Sequence, residues 1–240
     1  MVKNPIVILH GWNLSASHFE SLINELKARK FKVYCPDLPG FGQMQKPSKS
    51  LFLSDYVTYV EQYLKTNKLK DSILIGHSFG GRISIKLAAY NNTKIKSLIL
   101  AGVPGINPVP RAKVVFFIAL SKIGNTLFSI PILSSFKNPA RKILYKLARA
   151  SDFYNTDVAL AQTFKNIVAE DLSHLLADIK VPTLLLWGAN DNIVPIEIAS
   201  RMSKLIPHAQ FSIIPNARHG VPWTHPKLFV RELEKFLSRI

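Results

Sequence analysis

The sequence predicts an α/β fold: a mostly parallel sheet of about six strands, flanked by helices and carrying an inserted helical lid. Three observations carry this. Short apolar, β-branched runs alternate with amphipathic helical patterns along the chain, the signature of strand–helix–strand units. At 240 residues, 48% of them hydrophobic, the chain can fill one large core. About eighty residues separate the fourth strand candidate from the fifth, far more than one helix and two short loops need.

In chain order the strand candidates are Ile6–Leu9, Lys32–Cys35, Ser72–Ile75, Ser97–Ala101, Thr183–Trp187 and Gln210–Ile214. Each is a brief run rich in Ile, Leu and Val, as fully buried parallel strands are. Helical spacing of apolar residues marks Ser17–Arg29, Leu53–Thr66, Gly80–Tyr90, Ile196–Ile206 and Pro226–Ser238. The long connection contains Pro104, Pro108, Pro110, Pro131 and Pro139 between helical patterns. It is read as a lid over residues 103–180, inserted into a core formed by residues 1–102 and 181–240.

Composition bounds the function. No run reaches the roughly 18 apolar residues of a membrane span, and Ile6–Leu9 is shorter than a signal-peptide core, so a cytoplasmic protein is expected. The single cysteine, Cys35, allows no internal disulfide and reads as a small buried residue. No histidine pair has metal-ligand spacing, so no metal or other cofactor is expected. The net charge is +16, and Ser72 through Ser151 contains twelve Lys and Arg but no Asp or Glu. Such a field attracts anionic partners at long range. No nucleic-acid recognition motif accompanies it, so nucleic acid is not an expected partner.

The chemistry centres on Gly76-His77-Ser78-Phe79-Gly80, between a strand candidate and a helix candidate. A serine on a tight strand-to-helix turn has its hydroxyl pushed outward, and the flanking glycines leave room for the turn. A serine hydroxyl is a poor nucleophile near neutral pH and needs a histidine and an orienting carboxylate. In an open parallel sheet these belong in loops past the carboxyl ends of strands. Asp191 follows the fifth strand candidate and His219 follows the sixth, in the order Ser, Asp, His. Asp37 also follows a strand, but Asp37-Leu38-Pro39-Gly40 has turn chemistry. For the oxyanion, the backbone N–H groups of Phe79 and Trp12 are the candidate donors. His10 and Gly11 shape that loop and border the substrate, and the Trp12 indole either roofs the site or packs.

Together His10-Gly11-Trp12, Asp37 to Gly42, Gly76 to Gly81, Trp187 to Pro195 and Asn216 to Gly220 resemble, in order, the landmarks of the α/β-hydrolase fold superfamily. The resemblance covers nearly the whole chain outside the lid and implies a Ser78-His219-Asp191 triad. Serine at the elbow sets it apart from the dehalogenases and epoxide hydrolases of that superfamily, which use aspartate. Two departures stand out. Family members usually have strands before the His-Gly strand, whereas here that strand starts near residue 5, so the sheet is expected to be trimmed. Arg218 also sets a cation beside His219, pointing either at the site or at solvent.

The resemblance is similar in detail to small serine carboxylesterases, including the pimeloyl-carrier-protein methyl ester esterases. Those carry a helical lid and recognise an acidic protein partner through basic residues. The implied activity is cleavage of a small-molecule or acyl carboxylic ester through an acyl-enzyme. A thioesterase, a carbon–carbon bond hydrolase and a non-catalytic ligand-binding member are the alternatives. Substrate-contact candidates are His10, Gly11, Val194 and, in the lid, Phe116, Phe117, Phe128 and Phe136. The lid's apolar run forms either the roof of a pocket or lid–core packing. Its Arg141–Arg149 segment, with Lys142, Lys146 and Arg149 on one face, is either a solvated basic face or a dock for an anionic membrane or acidic carrier protein.

Overall fold

The computed structural model describes residues 4–90, 95–106 and 158–240. Six parallel strands form one sheet: β1 (Ile6–Leu9), β2 (Val33–Tyr34), β3 (Ser72–His77), β4 (Ile95–Ala101), β5 (Thr183–Gly188) and β6 (Gln210–Ile214). Their order is β2-β1-β3-β4-β5-β6. The chain therefore reverses its direction of travel across the sheet between β1 and β3. At such a switch point the loops leaving two neighbouring strands diverge and open a crevice. Leu9 pairs with Gly76, so the loop after β1 and the serine elbow start side by side.

Both faces of the sheet are covered, and alternate residues enter separate cores. Val7, Leu9, Leu74, Leu98, Leu100, Leu185 and Trp187 join one apolar cluster. Ile6, Ile8, Ile73, Ile75, Ile99, Ala101, Leu184 and Leu186 join the other. This period of two explains why the strands read as continuous apolar runs rather than as alternating ones. α1 (Glu20–Ala28), the short α6 (Val221–Thr224) and α7 (Pro226–Leu237) cover the second cluster. α2 (Leu53–Thr66), α3 (Phe79–Ala89), α4 (Val158–Ala169) and α5 (Ile196–Leu205) cover the first.

The expected elements are present, with local differences. Only Val33–Tyr34 of Lys32–Cys35 pairs, because β2 is an edge strand and Pro36 follows closely without an N–H to donate. The first expected helix opens as a 3₁₀ turn, Ala16–Phe19, before α1. Phe116, Phe117, Phe128, Phe136 and the basic Arg141–Arg149 segment lie outside the described residues. At the two ends of the long connection, Val103, Ile106, Leu160, Ile167, Leu172, Leu175 and Leu176 are buried in the first cluster. Among the described residues, no helix is long and apolar enough to cross a membrane.

α3 is buried on nearly every face, its polar side chains included: Arg82 is 5% and Lys86 7% exposed. Arg82 turns this to use. Its guanidinium donates to the carbonyls of Pro104, Ile167 and Glu170, gathering both ends of the long connection onto the helix that follows Ser78. Burial lowers its pKa to about 10, so it remains charged at neutral pH. Lys86 pairs with Glu170 at 2.8 Å. Replacing Arg82 with methionine keeps the apolar stem but orphans three carbonyls. We expect it to cost about 3–5 kcal/mol, read as a melting temperature lower by roughly 10 °C in a thermal unfolding scan.

Candidate active site

Ser78 occupies the turn between β3 and α3 with φ 49° and ψ −112°. A serine at positive φ is strained by roughly 1–3 kcal/mol, and close packing holds it there. A Cβ on Gly76 would stand 2.5 Å from the Gly81 Cα, and one on Gly80 would stand 2.1 Å from the Leu9 carbonyl oxygen. The strand and helix approach so closely that only glycine fits at either site. The Ser78 N–H donates to the Ala101 carbonyl at 3.0 Å, pinning the elbow to β4.

Asp191 and His219 meet. His219 Nδ1 lies 2.8 Å from Asp191 Oδ2, and the Asp191 side chain is 1% exposed against 13% for His219. The other carboxylate oxygen, Oδ1, accepts the N–H groups of Ile193 and Val194, each at 2.9 Å. Both oxygens are thus occupied and the carboxylate has one orientation. Its proton-bearing partner is Nδ1, which leaves Nε2 as the ring's basic nitrogen. The Asn190 N–H donates to the Ala217 carbonyl at 2.8 Å, tying the aspartate loop to the histidine loop.

Other candidates fall differently. His10 does not present its ring to a ligand: it is fully buried, Nδ1 donates to the Gly11 carbonyl at 2.8 Å, and Nε2 accepts the Leu38 N–H at 2.9 Å. It braces the loop after β1 and has no polar atom to spare for substrate. Val194 is likewise core, 3% exposed, and its carbonyl accepts the Trp187 indole N–H at 2.9 Å. Gly11 packs against His77. The Asp37 carboxylate accepts the Ala16 and Gln43 N–H groups at 2.7 and 2.8 Å, the turn chemistry expected of it. Arg218 is exposed to solvent. Cys35, read as a small buried residue, is half-buried, and desolvation pushes its thiol up to about 12, which favours the protonated thiol at neutral pH.

Trp12 is half-buried, with its ring centroid 4.8 Å from Phe41, 5.5 Å from Phe79 and 5.0 Å from Phe164. As the first residue of α3, Phe79 has an N–H with no acceptor one turn back in its own helix. Two residues of this neighbourhood were not anticipated. Phe164 reaches it from α4, from within the long connection. Gly102, at φ 57° just past β4, lies under the Asp191–His219 pair: a Cβ there would stand 2.9 Å from His219 Nδ1 and 3.3 Å from Asp191 Oδ2. Its signal, a glycine directly after a strand, is too common to single out.

With the fold and these positions in view, comparison with known proteins decides the family. The model of the serine aminopeptidase S33 family matches residues 2–223. The chain belongs to that family, within the α/β-hydrolase superfamily. It is 29% identical over 255 residues to the AB hydrolase superfamily protein YisY of Bacillus subtilis, covering 98% of this chain and 90% of that one. It is also 29% identical over 258 residues to the pimeloyl-[acyl-carrier protein] methyl ester esterase of Wigglesworthia glossinidia brevipalpis, covering 98% and 93%. An esterase from Exiguobacterium antarcticum superposes with a TM-score of 0.76 at 21% identity, covering 98% of this chain and 92% of that one. That last likeness speaks for the fold.

Two buried histidines shape the pH response of this α/β hydrolase. Burial lowers the pKa of His10 and drives that of His77 well below 6.5. Below 6.5 the unfolded chain binds protons that the folded chain refuses, so stability falls with pH. Each histidine contributes up to about 1.4 kcal/mol per pH unit. Urea unfolding from neutral pH down to about pH 5 should show this decline, with a shallower slope in His77→Phe.

Proposed function

We propose that this protein is a serine hydrolase that cleaves carboxylic esters through an acyl-enzyme, with Ser78 as nucleophile, His219 as acid–base group and Asp191 as its orienting carboxylate. The observation that carries the reading is the 2.8 Å contact of His219 Nδ1 with Asp191 Oδ2, in the loops beside the strained serine elbow. Ser78 Oγ attacks the ester carbonyl carbon as its proton passes to His219 Nε2. The oxyanion is held by the N–H groups of Phe79 and Trp12. The imidazolium then protonates the leaving alkoxide, and water repeats the sequence to release the acid and restore Ser78.

An ester is favoured over other bonds by the esterase relatives and by the character of the walls. The half-buried Trp12 and Phe164 pack together by the elbow over the buried Phe41 and Phe79, an aromatic setting suited to an apolar acyl or alcohol group. In this reading residues 103–180 are the lid, and Phe116, Phe117, Phe128 and Phe136 remain its substrate-contact candidates. The basic Arg141–Arg149 segment suits an acidic carrier or an anionic membrane as the bearer of the acyl group, in a cytoplasmic enzyme.

A fluorophosphonate probe should label the native chain and leave Ser78→Ala unlabelled; equal labelling of both would sink the assignment. Asp191→Asn should cut kcat by about 10⁴ through loss of the correct tautomer. In a panel of p-nitrophenyl esters from acetate to palmitate, run beside a thioester, a dienoic acid and an aminoacyl anilide, the esters should turn over fastest. Preference for the dienoic acid would indicate carbon–carbon cleavage, and binding without turnover a non-catalytic member.

A further inference from the structure

The residue just before Ser78 is itself a histidine, and it is held in an unusual state. His77 ends β3 and is 1% exposed. Its ring centroid lies 4.8 Å from His219, 5.0 Å from Trp223 and 5.9 Å from Phe19. Its Nε2 is 3.1 Å from the backbone carbonyl oxygen of His219. A carbonyl can only accept, so Nε2 carries the proton and donates. Nδ1 then carries a lone pair that is buried and has no hydrogen-bond partner among the described residues. It faces Gly11, where even a Cβ would come within 2.9 Å of it.

An unmatched buried acceptor is a cost that an aromatic hydrocarbon in the same slot would not carry. Packing alone therefore does not account for a histidine here; its donor does. The sheet shows what the donor is for. Asp191 and His219 stand in the loops after β5 and β6, while Ser78 is two strands from β5, across β4. The Asp191–His219 contact and the Asn190–Ala217 hydrogen bond order those two loops relative to each other. Neither refers them to β3.

We infer that His77 is a positioning residue whose Nε2–H holds the main chain of His219 in register with the serine elbow. Asp191 fixes the ring of the base from one side, and His77 fixes its backbone from the other. Because His77 and Ser78 are consecutive, one side chain sets the offset between nucleophile and base. The inference rests on the proposed roles of Ser78 and His219.

The test compares His77→Phe, which keeps a flat ring without a donor, with His77→Gln, whose amide N–H can reach the same carbonyl. Both are made in the full chain and followed by thermal melting, fluorophosphonate labelling rate, and kcat and KM on the ester that the panel selects. The low-field proton resonance of His219 Nδ1–H is read on the same proteins. His77→Phe removes the unmatched Nδ1 but orphans the His219 carbonyl, so it should melt within roughly 5 °C of the native protein and keep KM within about twofold, yet lose on the order of tenfold or more in kcat and labelling rate. His77→Gln should recover most of that loss. Retention of kcat by His77→Phe, or equal losses in both variants, would overturn the tether. Should His77→Phe not fold, His77→Met makes the same comparison. If the native chain neither labels nor turns over, the hydrolase reading fails, and the resonance then decides the tether alone. A shift in His77→Phe that is absent in His77→Gln supports it, and an unshifted signal overturns it.

Discussion

A serine held at positive φ between a buried strand and a buried helix is the constraint on which the rest of this structure depends. Such a backbone persists only if its surroundings leave no alternative. Here β3 is buried along its length and α3 on nearly every face. The glycines on either side let the strand, the helix and the neighbouring β1 close to distances that no side chain would allow. The Ala101 carbonyl then takes the Ser78 N–H. The strain is local, but the packing that sustains it extends across the sheet.

That packing forces polar groups inside, and their treatment is consistent. Arg82 and Lys86 on α3 are buried with partners drawn from the segment returning through α4. The helix that follows Ser78 and the long connection are therefore one mechanical unit at this end. His10 and His77 are buried neutral, His10 donating to a backbone carbonyl of the loop after β1 and His77 to one of the loop after β6. A charged imidazole in either place would be poorly solvated, and a neutral one is a rigid hydrogen-bonding plate. Two histidines thus serve architecture around the one that keeps Nε2 free of the Asp191 contact.

Much of this was legible in one dimension. Strand runs and helical spacing located the described core elements to within a few residues, because a doubly covered parallel sheet writes itself as short apolar runs. The order Ser, Asp, His at the ends of the third, fifth and sixth strands pointed to Asp191 and His219, which the fold brings to 2.8 Å. Less legible were residues whose part depends on what folds against them. Phe164 is one aromatic among many in the long connection, and Gly102 one glycine after a strand. His77 and His10 look alike as sequence, a histidine beside a glycine. One spends both ring nitrogens on backbone, and the other leaves a lone pair unmatched.

By itself, then, the sequence determined the layered sheet, the elbow and which loops carry Asp191 and His219, since these follow from hydrophobic period, glycine placement and chain order. Only the tertiary structure decided which way each side chain faces and what it spends its hydrogen bonds on. It turned His10 and Val194 inward, set Arg218 in solvent and hung the His219 backbone from His77. Those outcomes depend on contacts between residues up to 142 positions apart, and no local pattern in the chain encodes such a contact.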